Sequence, residues 1–212
     1  KRSKLSKKLD DLYICTDSKE IIEVCNKFDI KYIKTSSKHK NGTERIAEAA
    51  KKLKNVFLII DIQGDEPLIK PSDINKVINF HLKNLKYDII VPYQKINKLL
   101  NNNLVKIASS NNKVFFFSRN NIPFEFKKKI FFLKKHHSII SFKVKSLIEF
   151  SKLPESELEK IEGIELMRAI ENDFKIGTFP IKSKAFAVDV IDDYFKAKKF
   201  FKSDSLLKSY FK

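Results

Sequence analysis

Short apolar runs alternate along this chain with longer segments in which apolar residues recur every three or four positions. The short runs have the length of strands, and the run at 56–60 is apolar throughout, as in strands buried on both faces of a parallel sheet. The alternation predicts an α/β fold with a Rossmann-like, mostly parallel sheet and helices on both faces. Strands and helices are predicted in turn at 12–15, 19–28, 30–33, 41–54, 56–60, 72–84 and 88–91.

The pattern changes after Pro92. Two strand-like runs at 105–108 and 114–117 flank a Ser-Ser-Asn-Asn turn and predict a hairpin. The remaining predicted elements are a Lys- and Phe-rich loop at 124–132, a strand at 138–144, helices at 145–152 and 154–171, strands at 176–180 and 185–188, and an amphipathic helix at 192–211.

Composition narrows the class of protein. The 212 residues are 42% hydrophobic and include 19 Phe, which suits one domain over 1–212 with a substantial core and excludes a disordered chain. The formal net charge of +17 first suggests nucleic acid or an anionic membrane surface. However, the cations are almost all Lys, and Asn, Ile and Phe are also abundant, a bias that an AT-rich genome produces. We therefore favour solvated lysines and expect no nucleic-acid partner.

Membranes and disulfides are also disfavoured by the sequence. No apolar run approaches the roughly 18 residues that a membrane span requires, so we expect no membrane partner. Cys15 and Cys25 are the only cysteines, and no signal peptide precedes them, which fits a reducing cytoplasm.

The stretch Gln63-Gly-Asp-Glu-Pro67 follows the apolar run at 56–60 and carries the strongest chemical signal. Ligands of open α/β sheets bind at the carboxyl ends of the strands, where this turn presents Asp65 and Glu66. A carboxylate there can hold Mg²⁺, which bridges to substrate phosphates. The alternative interpretation is a solvated turn.

Three further groups of residues have both a chemical and a structural interpretation. The segment Asn41-Gly42-Thr43-Glu44-Arg45 starts a helix and could offer N–H groups to an anion or a base edge, or be a plain helix cap. Arg119 could clamp a carboxylate or form a surface ion pair. Asp189 could be a second metal ligand, whereas neighbouring His136 and His137 face opposite sides of a strand, so at most one of them lines a given site.

Taken together, the order and spacing of these motifs resemble the 3-deoxy-manno-octulosonate (Kdo) cytidylyltransferases, whose fold is of the nucleotide-diphospho-sugar transferase type. The resemblance covers about 12–199. The matching segments are 16–17, 41–45, 63–67, 103–106, 117–119, 122–123, 132–136, 158–168 and 188–189.

The resemblance implies CMP transfer from CTP to a 2-keto-3-deoxy sugar acid, Kdo, with release of pyrophosphate, for lipopolysaccharide biosynthesis in the cytoplasm. It implies Mg²⁺ as cofactor and a homodimer formed through a sugar-binding and dimerisation subregion at about 97–152. The implied roles are metal-binding and catalytic for Asp65 and Asp189, nucleotide-binding for Asn41, Gly42, Thr43, Arg45 and Gln63, sugar-binding for Arg119, His136 and Glu165, and catalytic also for Arg119.

The beginning of the chain departs from the family pattern. The family starts with a strand and a basic loop, A-R-x-x-S-x-R-L-P-G-K, that grips the CTP phosphates, whereas 1–11 matches only the end of the following helix. We expect this first strand to belong between 12–16 and 56–61. Its absence would remove about four buried apolar side chains, which would lower the free energy of unfolding by about 6–12 kcal/mol. We therefore expect the 212-residue chain alone to be of low activity and insoluble or aggregation-prone.

Two substitutions affect the implied sugar pocket, since Ile140 stands where the family has Tyr and Leu166 where it has Gln. In addition, Val190 stands where the family has the Thr of V-D-T-P, so the hydroxyl beside Asp189 is lost. Losing hydrogen-bonding groups weakens discrimination between hydroxyls. The acceptor could therefore be a modified Kdo, such as 8-amino-Kdo, or a nonulosonate. From another class, the alternative is a non-catalytic basic protein that binds nucleic acid.

Overall fold

The computed structural model describes residues 1–97, 101–183 and 185–210. Residues 98–100, within the predicted dimerisation subregion, and residue 211, at the end of the predicted last helix, lie outside the described residues. The strands are β1 (Ile14–Thr16), β2 (Tyr32–Lys34), β3 (Leu58–Ile62), β4 (Ile89–Ile90), β5 (Tyr93–Ile96), β6 (Lys106–Ser110), β7 (Lys113–Ser118), β8 (Leu133–His136), β9 (Ile139–Lys143) and β10 (Ile176–Gly177). The helices are α1 (Lys19–Lys27), α2 (Gly42–Lys52), α3 (Pro71–Lys83), α4 (Val144–Phe150), α5 (Glu157–Glu162), α6 (Leu166–Glu171) and α7 (Ile191–Lys202).

The main sheet has eight strands in the order β3-β9-β4-β10-β7-β6-β8-β5. β4 and β10 pair in parallel, but β9 lies antiparallel between β3 and β4, and the β6–β7 hairpin and β8 are also antiparallel to their neighbours. The α/β class is confirmed, whereas the expected mostly parallel sheet holds only in part. The reason is that the chain returns to the sheet after β4 as β9, which lies between β3 and β4 and so keeps these two strands from pairing in parallel.

Helices cover both faces of the sheet, as predicted. On one face, Ala47 and Ala50 of α2 pack with Phe117, Phe142 and other residues of the larger apolar cluster, which also takes in residues of α4 and α6. On the other face, α3 packs on the sheet through a second apolar cluster. None of the helices in the described part of the chain is long and apolar enough to cross a membrane.

β1 and β2 form a separate two-stranded parallel sheet. Among the described strands, β1 pairs only with β2, and β3 is an edge strand that pairs only with β9. An open cavity of about 1220 Å³ lies between β1 and β3, lined by residues of both strands together with α2 and α3. This cavity is where the family resemblance would put its first strand.

Several predicted boundaries are wrong. The helix predicted over 154–171 is two helices, because Gly163 adopts a left-handed conformation with φ of 62° and ends α5. Residues 185–188 form no strand, and α7 ends at Lys202. β5 and β8, which pair with each other, were not anticipated because Lys and Gln interrupt their apolar pattern.

Candidate active site

The loop after β3 is joined to the chain segment that carries Asp189, the second carboxylate predicted to hold a metal. The loop turns immediately, since the Glu66 amide donates to the Gln63 carbonyl at 3.3 Å. The Val188 amide donates to the Asp65 carbonyl at 2.9 Å, so Asp189 follows the residue that is hydrogen-bonded to Asp65. Burial, with smaller contributions from the charges of Asp65 and Asp189, raises the pKa of the Glu66 carboxyl. The chain segments that carry Asp65, Glu66 and Asp189 therefore lie side by side.

The donor set fits a hard divalent cation. Asp65 and Asp189 are both exposed, so their carboxylates can be reached from solvent. Within the described ranges, no group of three or more His, Cys, Asp or Glu side chains could enclose a metal ion by itself. Mg²⁺ is commonly held by one or two carboxylates together with substrate phosphates, and exposed carboxylates on two joined segments are compatible with that pattern.

The amino end of α2 contains the predicted nucleotide-binding segment. The Asn41 side chain accepts a hydrogen bond from the Glu44 amide at 2.9 Å, so Asn41 is an N-cap. Nothing lies within 4 Å of the position that a Cβ on Gly42 would occupy, which leaves room beside the backbone there. Arg45 donates to the Thr35 hydroxyl at 2.6 Å and pairs with Asp17 at 2.7 Å, so these contacts hold its guanidinium beside β1 and β2.

A hydrogen bond joins the predicted nucleotide and sugar sides. The hydroxyl of Thr43 in α2 donates to the carboxylate of Glu165 at 2.8 Å, and Glu165 is the residue that precedes α6. Thr43 is buried, and burial raises the pKa of Glu165. α2 and α6 are thus fixed relative to each other at the site.

Asp61 is a residue of this site to which the sequence gave no role. It lies in β3 with only 7% of its surface exposed, and its carboxylate accepts a hydrogen bond from the Gln63 side-chain amide at 2.7 Å. Burial raises the pKa of Asp61 to about 7, with smaller contributions from the charges of Glu165 and Asp65. The sequence does contain a signal for this residue, namely a carboxylate within an otherwise apolar strand. Ionisable side chains are rarely buried without a specific partner, so such a position indicates a specific role.

Arg119 has a different environment from the one expected. Its guanidinium donates to the carbonyls of Glu162, Gly163 and Asn102 at 2.9, 3.1 and 3.1 Å. Its own amide donates to the Glu162 carboxylate at 3.0 Å. Three of the five guanidinium N–H groups therefore tie the turn after α5 to the 102 loop. The sequence could not reveal these contacts, because their partners are backbone carbonyls.

His136 and His137 are packed rather than exposed. Burial lowers the pKa of His136 to about 3 and that of His137 to about 4, so both are neutral at pH 7. The His136 ring meets the edge of Phe117 with ring centroids 6.0 Å apart. The His137 Nδ1 accepts from the Ile139 amide at 3.3 Å. A neutral imidazole can hydrogen-bond to a hydroxyl but supplies no positive charge.

Most of the chain matches the model of a known protein family. The family model described as cytidylyltransferase matches residues 1–176. The chain belongs to the cytidylyltransferase family. The matched range includes α2, β3 and the loop with Asp65, as well as Arg119, His136 and Glu165, but ends before Asp189.

Curated cytidylyltransferases resemble the chain over most of its length. A 3-deoxy-manno-octulosonate cytidylyltransferase of Thermodesulfovibrio yellowstonii is 37% identical, over 93% of this chain and 84% of that protein. The protein of the same name from Rickettsia rickettsii is 36% identical, over 94% of this chain and 83% of its own length.

Solved structures support the fold of this cytidylyltransferase. A CMP:2-keto-3-deoxy-manno-octonic acid synthetase in complex with CTP superposes with a TM-score of 0.90 at 24% identity, over 95% of this chain and 85% of that one. A 4-diphosphocytidyl-2C-methyl-D-erythritol synthase of Anaerococcus prevotii has a TM-score of 0.59 at 17% identity, over 95% of this chain and 82% of that one.

Proposed function

We propose that this cytidylyltransferase transfers CMP from CTP to Kdo, releases pyrophosphate, and acts in the cytoplasm in lipopolysaccharide biosynthesis. One observation carries the proposal: the segments of Asp65 and Asp189 are joined by a 2.9 Å hydrogen bond at the carboxyl end of β3. Two carboxylates there suit a reaction of a nucleoside triphosphate. The curated relatives, matched over more than four fifths of their length, supply the identity of the acceptor.

In the proposed reaction, the anomeric hydroxyl oxygen of Kdo bonds to the α-phosphorus of CTP. The bond from that phosphorus to the bridging oxygen breaks, pyrophosphate leaves with the bond's electrons, and the hydroxyl proton passes to solvent. Such reactions depend mainly on positioning and on electrostatic stabilisation of the phosphates. The chain's task is therefore to hold two anionic substrates in line.

The nucleotide side of the proposed site is formed by the start of α2 and the end of β3. The free N–H groups of a helix start favour an anion, and the open space beside Gly42 allows close approach. Asn41 and Thr43 fix that helix start through their own hydrogen bonds. Gln63 is exposed just past the end of β3, and Arg45 lies in the first turns of α2, so both are proposed to meet the nucleoside and its phosphates.

We propose Mg²⁺ as the cofactor, with Asp65 and Asp189 as the protein carboxylates that would hold it. When bound, it would neutralise charge on the triphosphate. The support is the hydrogen bond that joins their two segments and the exposure of both side chains.

The proposed sugar side contains Glu165, His136 and Arg119. Neutral His136 suits a sugar hydroxyl, and Glu165 can accept from one while it accepts from Thr43. Arg119 uses three N–H groups on backbone carbonyls, and its other two are the donors that a sugar carboxylate would use. This would make Arg119 both a structural and a catalytic residue.

A modified acceptor is the second candidate, and two residues favour it. Leu166 is buried in the larger apolar cluster, and Ile140 packs against that cluster in the strand beside Asp61. Neither can offer a hydrogen bond to a sugar hydroxyl. 8-Amino-Kdo and a nonulosonate are therefore the alternative acceptors to compare with Kdo.

We also propose a homodimer that uses the subregion at about 97–152. Phe124, Phe126 and Phe131 are 86%, 84% and 93% exposed, which is unusual for large apolar side chains on one short loop. Covering them with a second copy would remove this apolar surface from water. Phe126→Ser should then yield a monomer in size-exclusion chromatography with light scattering, whereas Phe195→Ser on α7 should not. A wild-type protein that is monomeric at all concentrations would contradict the dimer.

The activity is tested with the protein expressed from its whole reading frame. Pyrophosphate release is measured with CTP and Kdo, and then with the other two acceptors. Asp65→Asn and Asp189→Asn should each lower kcat by at least about a hundredfold, because each removes a negative charge that would hold the metal ion. Asp192→Asn, in the first turn of α7, is the control and should retain activity. Absence of release with all three acceptors would overturn the proposed function.

A further inference from the structure

The hydrogen bond between Asp61 and Gln63 fixes the orientation of an amide. Residues two apart on a strand share a face, so the Gln63 side chain, just past the end of β3, can lie over the Asp61 carboxylate. The Gln63 Nε2 donates to the Asp61 Oδ2 at 2.7 Å. An ionised carboxylate can only accept, so it must face the NH₂ end of the amide rather than the carbonyl end.

The other end of the amide is then available to a ligand. Asp61 is buried, whereas Gln63 is exposed just past the end of β3. With Nε2 engaged below, Oε1 is the atom that Gln63 can present outward. An amide oxygen accepts hydrogen bonds and does not donate them. The ligand group that meets Gln63 must therefore be a donor.

We propose that Asp61 is a positioning residue for nucleotide selectivity, because it holds the Gln63 amide so that its oxygen faces the nucleotide and accepts from a donor group there. Two donors of a cytidine nucleotide have this chemistry, the 4-amino group of the base and the 2′-hydroxyl of the ribose. The inference rests on the proposed function, since only a nucleotide bound at the end of β3 would meet Gln63.

This orientation of the Gln63 amide should weaken the use of nucleotides that lack the donor. UTP carries an oxygen in place of the 4-amino group, and two acceptors facing each other leave both without a hydrogen bond. dCTP lacks the 2′-hydroxyl. A site with a fixed acceptor disfavours such analogues by about 5- to 100-fold.

The charge state of Asp61 provides a test within the wild-type protein. The groups that face Asp61 are Gln63 of its own segment, Glu165 before α6, Asp65 of the following loop, and Cys15 of β1. Burial raises the pKa of Asp61 to about 7, and the two carboxylates add to this. A protonated Asp61 can donate to Oε1, which allows the amide to turn its NH₂ group outward. Selectivity should therefore be highest above about pH 8 and fall as the pH drops below about 7.

The experiment compares nucleotides rather than overall rates. kcat/KM is measured by pyrophosphate release for CTP, UTP and dCTP with Kdo, between about pH 6 and pH 8.5, on the whole-reading-frame protein. Asp61→Asn keeps the shape of the side chain but can offer either an oxygen or an NH₂ group to Gln63. We expect this variant to use CTP less well than wild type, because the Gln63 Oε1 is no longer held toward the nucleotide. One analogue should improve relative to CTP by about 5-fold or more, and the ratio should no longer depend on pH.

The two analogues identify the donor. An improvement with UTP assigns the 4-amino group, and an improvement with dCTP assigns a ribose hydroxyl. Asp73→Asn removes another buried carboxylate, on α3 and outside the site, and should leave both ratios unchanged. A merely structural role of Asp61 would lower all three activities together and would not improve an analogue.

Two results would overturn the inference. One is a folded Asp61→Asn variant with wild-type ratios for both analogues at pH 8. The other, which does not depend on any variant, is a wild-type CTP-to-analogue ratio that stays flat over the whole pH range. A wild-type protein that releases no pyrophosphate overturns the proposed function and this inference with it, whereas an active protein with unchanged ratios overturns the inference alone.

Discussion

The ion pair between Glu159 and Arg168 joins α5 to α6 and should be essential for stability. Arg168 donates to the two carboxylate oxygens of Glu159 at 2.7 and 2.5 Å and to the Leu153 carbonyl at 3.0 Å. The side chains are only 8% and 6% exposed. The pair holds α6, and α6 begins directly after Glu165, so the same contact also supports the proposed site.

Removing one partner should cost far more than removing an exposed pair. Arg168→Met leaves the Glu159 carboxylate buried without its cation, which costs about 3–5 kcal/mol. For a domain of this size, that corresponds to a drop in Tm of about 6–20 °C. Replacing both residues together, as in Glu159→Leu with Arg168→Met, should cost less than Arg168→Met alone, because no unpaired charge remains.

Urea unfolding followed by circular dichroism would measure these differences. The matched control is Glu149→Gln, which breaks the exposed Lys145–Glu149 pair at 3.9 Å and should change stability by less than about 1 kcal/mol. The reasoning would be refuted if Arg168→Met were within 1 kcal/mol of wild type, or if the double variant were the least stable of the set.

The pair also has a pH signature. Burial alone would raise the pKa of Glu159, but the hydrogen bonds from Arg168 and from the Ser156 amide outweigh it and hold the pKa below its usual range. A carboxyl with a lowered folded pKa stabilises the protein above its unfolded pKa and loses that contribution as the pH falls through the folded pKa. The stability difference between wild type and Arg168→Met should therefore shrink below about pH 4.

Three further predictions follow from packing, titration and open strand edges. Gly177→Ala should cost about 1–3 kcal/mol in urea unfolding, since its Cβ would lie 2.5 Å from the Tyr87 ring, whereas Gly64→Ala, with open space around it, should change stability by less than about 0.5 kcal/mol. Burial lowers the pKa of His81 to about 4, so unfolding should take up a proton at this residue between about pH 6.5 and pH 4. The free energy of unfolding should therefore decrease as the pH falls through this range, and His81→Gln should reduce that dependence on pH. The 212-residue chain alone should aggregate because β1 and β3 present open edges to the 1220 Å³ cavity; a monodisperse sample with one cooperative thermal transition would contradict this.

Local signals in the sequence were enough to locate most helices and the hairpin. Ser18 and Asn41 accept hydrogen bonds from the amides three residues later, as residues of their type do at helix starts. Asn111 and Asn112 adopt positive φ in the turn between β6 and β7, which their short polar side chains tolerate. These features depend on a few neighbouring residues, so the sequence carries them directly.

Strand partners were decided only by the tertiary structure. The apolar run of β9 shows that it is buried, but nothing in it specifies that it lies antiparallel between β3 and β4. Periodicity reports which face of an element is covered and not which element covers it. The helical pattern at 154–171 likewise gave no sign that the chain turns at Gly163, where Arg119 contacts the backbone.

For the site, the sequence by itself determined which residue types stand at which motif positions, and so the candidate carboxylates Asp65 and Asp189. Only the tertiary structure joined their segments, which are more than a hundred residues apart, through the bond from Val188 to Asp65. It also decided that Asp61 is buried beneath Gln63 and that Arg119 is engaged by carbonyls. The physical reason is that hydrogen-bond partners and desolvation depend on the packing of distant segments, which local patterns do not encode.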